Sequence, residues 1–255
     1  MLTKMLKFEL SRLIRKRKLL WLAALGVIAL LGGAINYLGH GTPQRTSFEA
    51  FSFATDLLLP LLLPLLAGLT TGDVLAEDGQ LGLLPLVLSR GVSPFQYVFA
   101  KLIASVVGQV CFISGVLALF LVILMPFFPV GPILEYAAYG SRDFAASSPV
   151  AYCLAMALVY ISAAVAFSGV ALLVSVWVKN AFAVMVAPVI LYFAALYTIG
   201  TDTPLAIEIN PYPHLALELF RIPYTLSQVV AYWAVIALAT HVLTVLAFSL
   251  KRDYA

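Results

Sequence analysis

Asp73–Lys101 reads DVLAEDGQLGLLPLVLSRGVSPFQYVFAK, and it separates two long apolar runs. It is the one polar stretch with internal pattern in an otherwise oily chain. Asp73, Glu77 and Asp78 close the helix that enters it, with Gly79 expected as the C-cap. Leu81 to Leu88 is apolar but interrupted by Gly82 and Pro85, too short and too broken to cross a bilayer. Ser89-Arg90-Gly91 reads as a turn, and Ser93-Pro94 as the cap and first position of the next helix. Lys101 then falls at the membrane boundary, where its ammonium is expected to extend to the aqueous interface. The pattern is helix end, short surface helix, turn, next span.

The surrounding composition places that pattern at a membrane. The 255-residue chain is 63% hydrophobic and 11% charged, against about half and about a quarter in soluble domains. Six apolar segments, about 19–38, 51–74, 98–128, 149–178, 181–199 and 226–250, approach or exceed the roughly 20 residues that cross ~30 Å of hydrocarbon. The expected fold is an all-α membrane protein, with 1–255 a single transmembrane domain. Residues 1–18 are expected as an interfacial helix and 75–97 as a cytoplasmic segment, the one that the family resemblance below makes the coupling segment. In the N-terminal helix Leu2, Leu6, Leu10 and Leu13 recur at helical spacing, while Lys4, Lys7, Ser11, Arg15 and Lys18 point elsewhere.

Charge sets the orientation. With the N-terminus inside, Lys4, Lys7, Arg12, Arg15, Lys16, Arg17, Lys18, Arg90, Lys101, Lys179, Lys251 and Arg252 face the cytoplasm; only Arg45, Arg142 and Arg221 lie outside. Both termini are therefore expected in the cytoplasm. The net charge of +3 is orientation charge and implies no nucleic-acid partner. The first apolar run is too long for a cleaved signal peptide and lacks a clean small-x-small site. Cys111 and Cys153 fall at different depths, which argues against a disulfide, and both read as small apolar fillers.

The second span is the most unusual. Asp56 lies near its outer end, followed by Pro60 and Pro64 and then Gly68-Leu69-Thr70-Thr71-Gly72. The prolines share one face and free the carbonyls of Asp56 and Pro60, so a kinked helix with that face against other helices or a wet cavity is expected. Asp56, as an intramembrane acid, is with Pro60 and Pro64 the candidate for a translocation path. Gly68-x-x-x-Gly72 reads as close helix packing rather than a dimer seam. Outside, Pro129–Ser148 and Thr201–Thr225 are Pro- and aromatic-rich, and short helices dipping into the outer leaflet are expected there.

Much chemistry is missing. No Gly-Lys dipeptide occurs, so no phosphate-binding loop exists. His40, His214 and His241 lack metal-ligand spacing, and no Cys-x-x-Cys is present. Ser168-Gly169 in the fourth span and His241 in the sixth resemble the Ser-His dyad of rhomboid intramembrane proteases. The first glycine of that family's Gly-x-Ser-Gly is Ala166 here, however. No oxyanion-binding His or Asn lies in the second span, and both candidate residues fall in the inner half of the membrane. A stand-alone secondary transporter or channel would need embedded ionisable residues along one path. Asp56 and His241 are the best candidates, and they lie in opposite halves.

The segment between spans two and three is similar to that of the permease subunits of type-2 ABC exporters. That family's loop carries Glu-x₃-Gly-Thr-Leu, then Leu-Leu-Ser-x-Pro, a β-branched residue, Ser-Arg, and a later Lys. Here Glu77, Gly79, Leu81, Leu88, Ser89, Val92, Ser93 and Lys101 match in order. The amphipathic N-terminus, the six spans, the Ser175–Asn180 turn and the Pro-rich segment before the last span extend the likeness along nearly the whole chain. Gln80 replaces the usual Thr, Gly91 the usual Pro, and Arg90 comes early. The resemblance implies a non-enzymatic transport subunit in the cytoplasmic membrane of a prokaryote, paired with a second, identical or related permease. ATP and Mg would be held by a separate ATP-binding cassette subunit, with no cofactor or metal in this chain. It also implies that the ATPase docks on Glu77, Asp78, Gly79, Leu81, Leu83, Leu84, Leu86, Ser89 and Arg90. Few charges face the core, which mildly favours an apolar or amphipathic cargo.

Overall fold

A computed structural model describes residues 2–14, 17–39, 45–137, 141–199, 210–215 and 224–250. Every regular element among them is helical: α1 (Leu2–Ile14), α2 (Lys18–Gly39), α3 (Ser47–Thr71), α4 (Asp73–Gln80), α5 (Leu83–Leu88), α6 (Pro94–Leu124), α7 (Arg142–Ser147), α8 (Pro149–Ser175), α9 (Ala181–Ile199) and α10 (Leu226–Leu250). Five helical stretches are long and apolar enough to cross a membrane: α2, the 34-residue rod that α3 and α4 form together, α6, α8 and α10. The chain is a helical multi-pass membrane protein. Helix α9 is apolar too, but shorter, with Pro188 inside it.

Capping chemistry sets the helix ends. α3 starts at Ser47, ahead of the expected Phe51, because the Thr46 side chain accepts the Glu49 N–H. α6 starts at Pro94, ahead of Val98, behind a capping box in which Ser93 and Gln96 bond reciprocally. It also ends at Leu124, short of Phe128. α8 ends at Ser175 rather than Val178, and Asn180 Oδ1 accepts the N–H groups of Phe182 and Ala183 to open α9. The turn expected over Ser175–Asn180 is therefore present. α10 matches the expected last span residue for residue.

Helix α8 sits at the centre, touching α3, α6, α9 and α10. One aromatic knot shows how the bundle closes: the Phe167 ring lies 5.5 Å from Tyr192 and 5.2 Å from Trp233, joining α8, α9 and α10. α3 runs through Pro60 and Pro64 as one helix with both prolines buried, as expected of a face turned to other helices. Small residues permit the closest approaches. A Cβ on Gly68 would overlap the Met185 carbonyl, and one on Gly72 would lie 2.8 Å from Met185 Cα, so this glycine pair packs α3 on α9 within the chain. Cys153 is buried as a filler, but Cys111 is exposed on α6 and fills no core; both thiols are free.

At the end remote from α1, Glu49 ties the loop after α6 to the bundle. Its Oε1 accepts the N–H groups of Leu134 (3.2 Å) and Glu135 (2.7 Å), while the Tyr37 hydroxyl donates to Oε2 (3.3 Å). Thr46 donates to the Pro132 carbonyl at 2.9 Å. Residues 129–137 are irregular, and α7 is the one short α-helix among the described residues of this segment. Of the second Pro-rich segment, 201–225, most lies outside the described residues, including Pro204, Phe220 and Pro223; residues 211–215 form a turn.

The glycine contacts make a paired test. Gly68→Ala forces α3 and α9 apart and should cost about 1–3 kcal/mol, whereas Gly115, whose Cβ would meet nothing within 4 Å, should accept Ala at no cost or with a gain of up to about 1 kcal/mol. Thermal unfolding of the two variants in detergent, against the parent chain, reads the difference.

Candidate functional site

At the end of the bundle that carries α1, three helices each contribute two polar side chains to one buried cluster. From α1 come Glu9 and Arg12, three apart; from α4 come the adjacent Glu77 and Asp78; from α6 come Tyr97 and Lys101, four apart. Helical spacing puts the α1 and α6 pairs on one face of their helix. Arg12 forks onto both acids of α4, with Nη1 2.8 Å from Asp78 Oδ1 and Nη2 2.9 Å from Glu77 Oε2. Lys101 Nζ lies 2.6 Å from Asp78 Oδ2 and 3.0 Å from Glu9 Oε1, and donates to the Val74 carbonyl at 3.1 Å. The Tyr97 hydroxyl donates to Asp78 Oδ2 at 2.7 Å. Beside the cluster, Lys18 at the start of α2 pairs with Asp73 and donates to the Leu69 carbonyl.

Burial gives the cluster its weight. Lys101 has 0% of its surface exposed and Asp78 3%. A lysine and a carboxylate so placed remain charged only if each is paired and hydrogen-bonded. Here two acids (Glu9, Asp78) meet two bases (Arg12, Lys101), and Glu77 leads the network out to solvent. Burial of the Arg12 guanidinium works to lower its pKa; the hydrogen bond and charge of Asp78, with Glu9 and Glu77 behind, outweigh that and raise it. Around these charges Val74, Tyr97, Val98, Leu102, Leu172 and Phe248 form an apolar jacket, with Met5 of α1 packed on it.

Several expectations are corrected here. Lys101 does not extend to the interface; it turns inward because Glu9 and Asp78 are there to receive it. Asp78, expected at the docking surface, is buried in the cluster, whereas its neighbour Glu77 is half-exposed. The inward face of α1 is Met5, Glu9 and Arg12, and the stripe Leu2, Leu6 and Leu10 is only half-buried. Gly79 is not a C-cap: α4 continues to Gln80, and the left-handed residue is Gly82, at φ 63°. That glycine reverses the chain into α5, and Gly91, at φ 78°, helps to turn it back toward α6.

The rest of the expected docking segment is displayed outward. Leu81 is 61% and Leu86 58% exposed, and Pro85, Ser89 and Arg90 are exposed as well. Leu83 is half-buried; the Leu84 side chain lies outside the described residues. The path candidates stay apart from this cluster: Asp56 is half-buried in α3, above the buried Pro60 and Pro64. The protease-like pair is not joined, although His241 packs against Gly169, the residue after Ser168. Ser168 donates to the Val165 carbonyl at 2.8 Å, and His241 Nδ1 is 2.7 Å from the Ala237 carbonyl. No hydrogen bond links the two among the described residues.

Sequence reasoning missed Glu9 and Arg12 as partners of this cluster. Glu9 is the one acid in a basic amphipathic helix, and an acid three residues before an arginine there is the signal that could have marked it. No protein-family model and no curated protein matches the chain.

Removing one member of the buried pair should unmask the other. Lys101→Met leaves Asp78 and Glu9 without their common cation and should destabilise the protein by about 3–5 kcal/mol. Adding Asp78→Asn should recover part of that loss. Unfolding of the two single variants and the double variant gives the coupling; strict additivity would mean that the pair does not interact.

Proposed function

We propose that this chain is the permease subunit of an ATP-driven exporter of the type-2 ABC kind, working in the cytoplasmic membrane of a prokaryote with both termini inside and α9 as a sixth span. A separate ATP-binding subunit supplies the energy, and a second permease, identical or related, completes the pathway. The observation that carries this reading is the placement of α5. It is a six-residue helix held beyond the end of a rod of about 51 Å at 1.5 Å per residue, against ~30 Å of hydrocarbon. It shows apolar Leu86 outward, as the link before it shows Leu81, and is fastened through α4 to the buried charge cluster.

The mechanism follows from that attachment. A partner that grips Leu81, Pro85 and Ser89 displaces α5, and α5 is joined to α4 by only Leu81 and Gly82. α4 moves with α1 and α6 because Asp78 bonds to both. A push at the surface therefore reaches the second span through α3 and the third through α6, while α1 follows at the membrane edge. The basic-residue count supports an inner location for this end, and the lack of a phosphate-binding loop supports an energy source on another polypeptide. The half-buried Asp56 with Pro60 and Pro64 supports an assignment of the path to the far half of α3.

Affinity purification of the full chain from its native membrane tests this reading. A soluble protein carrying a Gly-x-x-x-x-Gly-Lys-Ser/Thr loop should accompany it. Leu81→Asp combined with Ser89→Arg should lower its recovery about tenfold or more, as loss of an interface anchor does, while membrane insertion stays normal. Recovery unchanged in the variant, or no such partner at all, would contradict the proposal.

A further inference from the structure

Between α1 and α5 runs a groove of about 620 Å³. Met5 and Phe8 form its α1 wall, and Leu83, Leu86 and Val87 its α5 wall. Lys4 and Arg90 line it as well, one from each side. Both are exposed, and neither has an acidic partner among the described residues. The acids in the groove, Glu9 and Asp78, are already neutralised by Lys101 and Arg12. The groove thus offers an apolar trough with two uncommitted cations and no uncompensated anion.

Its height relative to the membrane is marked by aromatic residues. Trp21, in the first turn of α2, is 75% exposed. Phe95 and Phe99, at the start of α6, stack at 5.6 Å and are exposed as well. Tryptophan gathers at the headgroup level, and the two exposed phenylalanines add apolar surface near it. Helix α1 leads into α2 through a short connection, and its half-buried leucine stripe suits the boundary between headgroups and acyl chains.

We propose that this groove holds one anionic phospholipid, its phosphate between Lys4 and Arg90 and an acyl chain along Met5, Phe8, Leu83 and Val87. Two cations converging on one phosphate give charge-assisted contacts, and the trough removes apolar surface from water. The bound lipid bridges the interfacial helix and α5, so the charge of the surrounding membrane sets how firmly the two are held together. The inference rests on the α1–α5 geometry and stands whether or not an ATPase is the partner.

Native mass spectrometry of the purified full chain, delipidated and then titrated with phosphatidylglycerol or phosphatidylcholine, tests it. One phosphatidylglycerol should be retained in preference to phosphatidylcholine. The preference should fall about fivefold for each of Lys4→Gln and Arg90→Gln, from the ~1 kcal/mol that one cation near a lipid surface contributes. It should survive in the charge-preserving Lys4→Arg/Arg90→Lys variant. Lys7, exposed on α1 but outside the groove, serves as the control, and Lys7→Gln should leave retention unchanged. Equal retention of the two lipids, or an equal loss with Lys7→Gln, would overturn the site: the first leaves the groove to an acidic protein segment or to none, the second makes the attraction diffuse.

Discussion

The Asp78 carboxylate and the Lys101 ammonium face each other 2.6 Å apart with almost no access to water, and that pair constrains everything around it. Neither charge survives alone in such a place, because desolvation of an ion costs far more than a surface contact returns. Each must therefore be surrounded by partners, and the partners come from elsewhere in the chain: Arg12 and Glu9 from α1, Tyr97 from α6, the Val74 carbonyl from α4. The requirement to satisfy two ions converts three separate helices into one unit.

That unit explains why the basic end of the bundle has its shape. α1 is held against α6 by Glu9 as well as by Met5, and so cannot behave as a loose amphipathic anchor. α4 extends α3 into a single 34-residue rod and is kept from fraying by Arg12, which bonds both Glu77 and Asp78. α5 is left as the mobile-looking tip only in the sense that it is small and outward; its base is fixed. The groove beside it exists because α1 is drawn in at Glu9 and Arg12 while Lys4 and Phe8, on the flank of that face, are left open. Buried polar networks of this kind can also specify a unique arrangement of elements, and here they specify which helices travel together.

Much of this was legible in the residues. Apolar run length located the long helices, Ser93-Pro94 located the start of α6, and the Ser175–Asn180 segment located the turn before α9, each because the signal is local. The segment 81–88 showed itself as a short, broken helix through Gly82 and Pro85. What stayed hidden was pairing between distant residues. A lysine at a membrane boundary ordinarily extends to water, and nothing within its own segment reveals that Glu9, far away in sequence, will draw Lys101 inward. The same holds at the other end, where Thr46-x-x-Glu49 carries the spacing of a capping box, yet the Glu49 carboxylate leaves its own helix for the N–H groups of Leu134 and Glu135. Gly79 and Gly82 were both available to reverse the chain, and the choice between them depends on how far Asp78 must reach to meet Arg12, Tyr97 and Lys101.

The central claim is that Asp78 locks α1, α4 and α6 into one body, and backbone hydrogen exchange in Asp78→Asn addresses it most directly. The account predicts faster exchange across Leu2–Ile14 and Asp73–Gln80, with the first turns of α6 following, while α8 keeps the protection of the parent chain. Unchanged exchange in α1, or a uniform loosening of all helices, would contradict it.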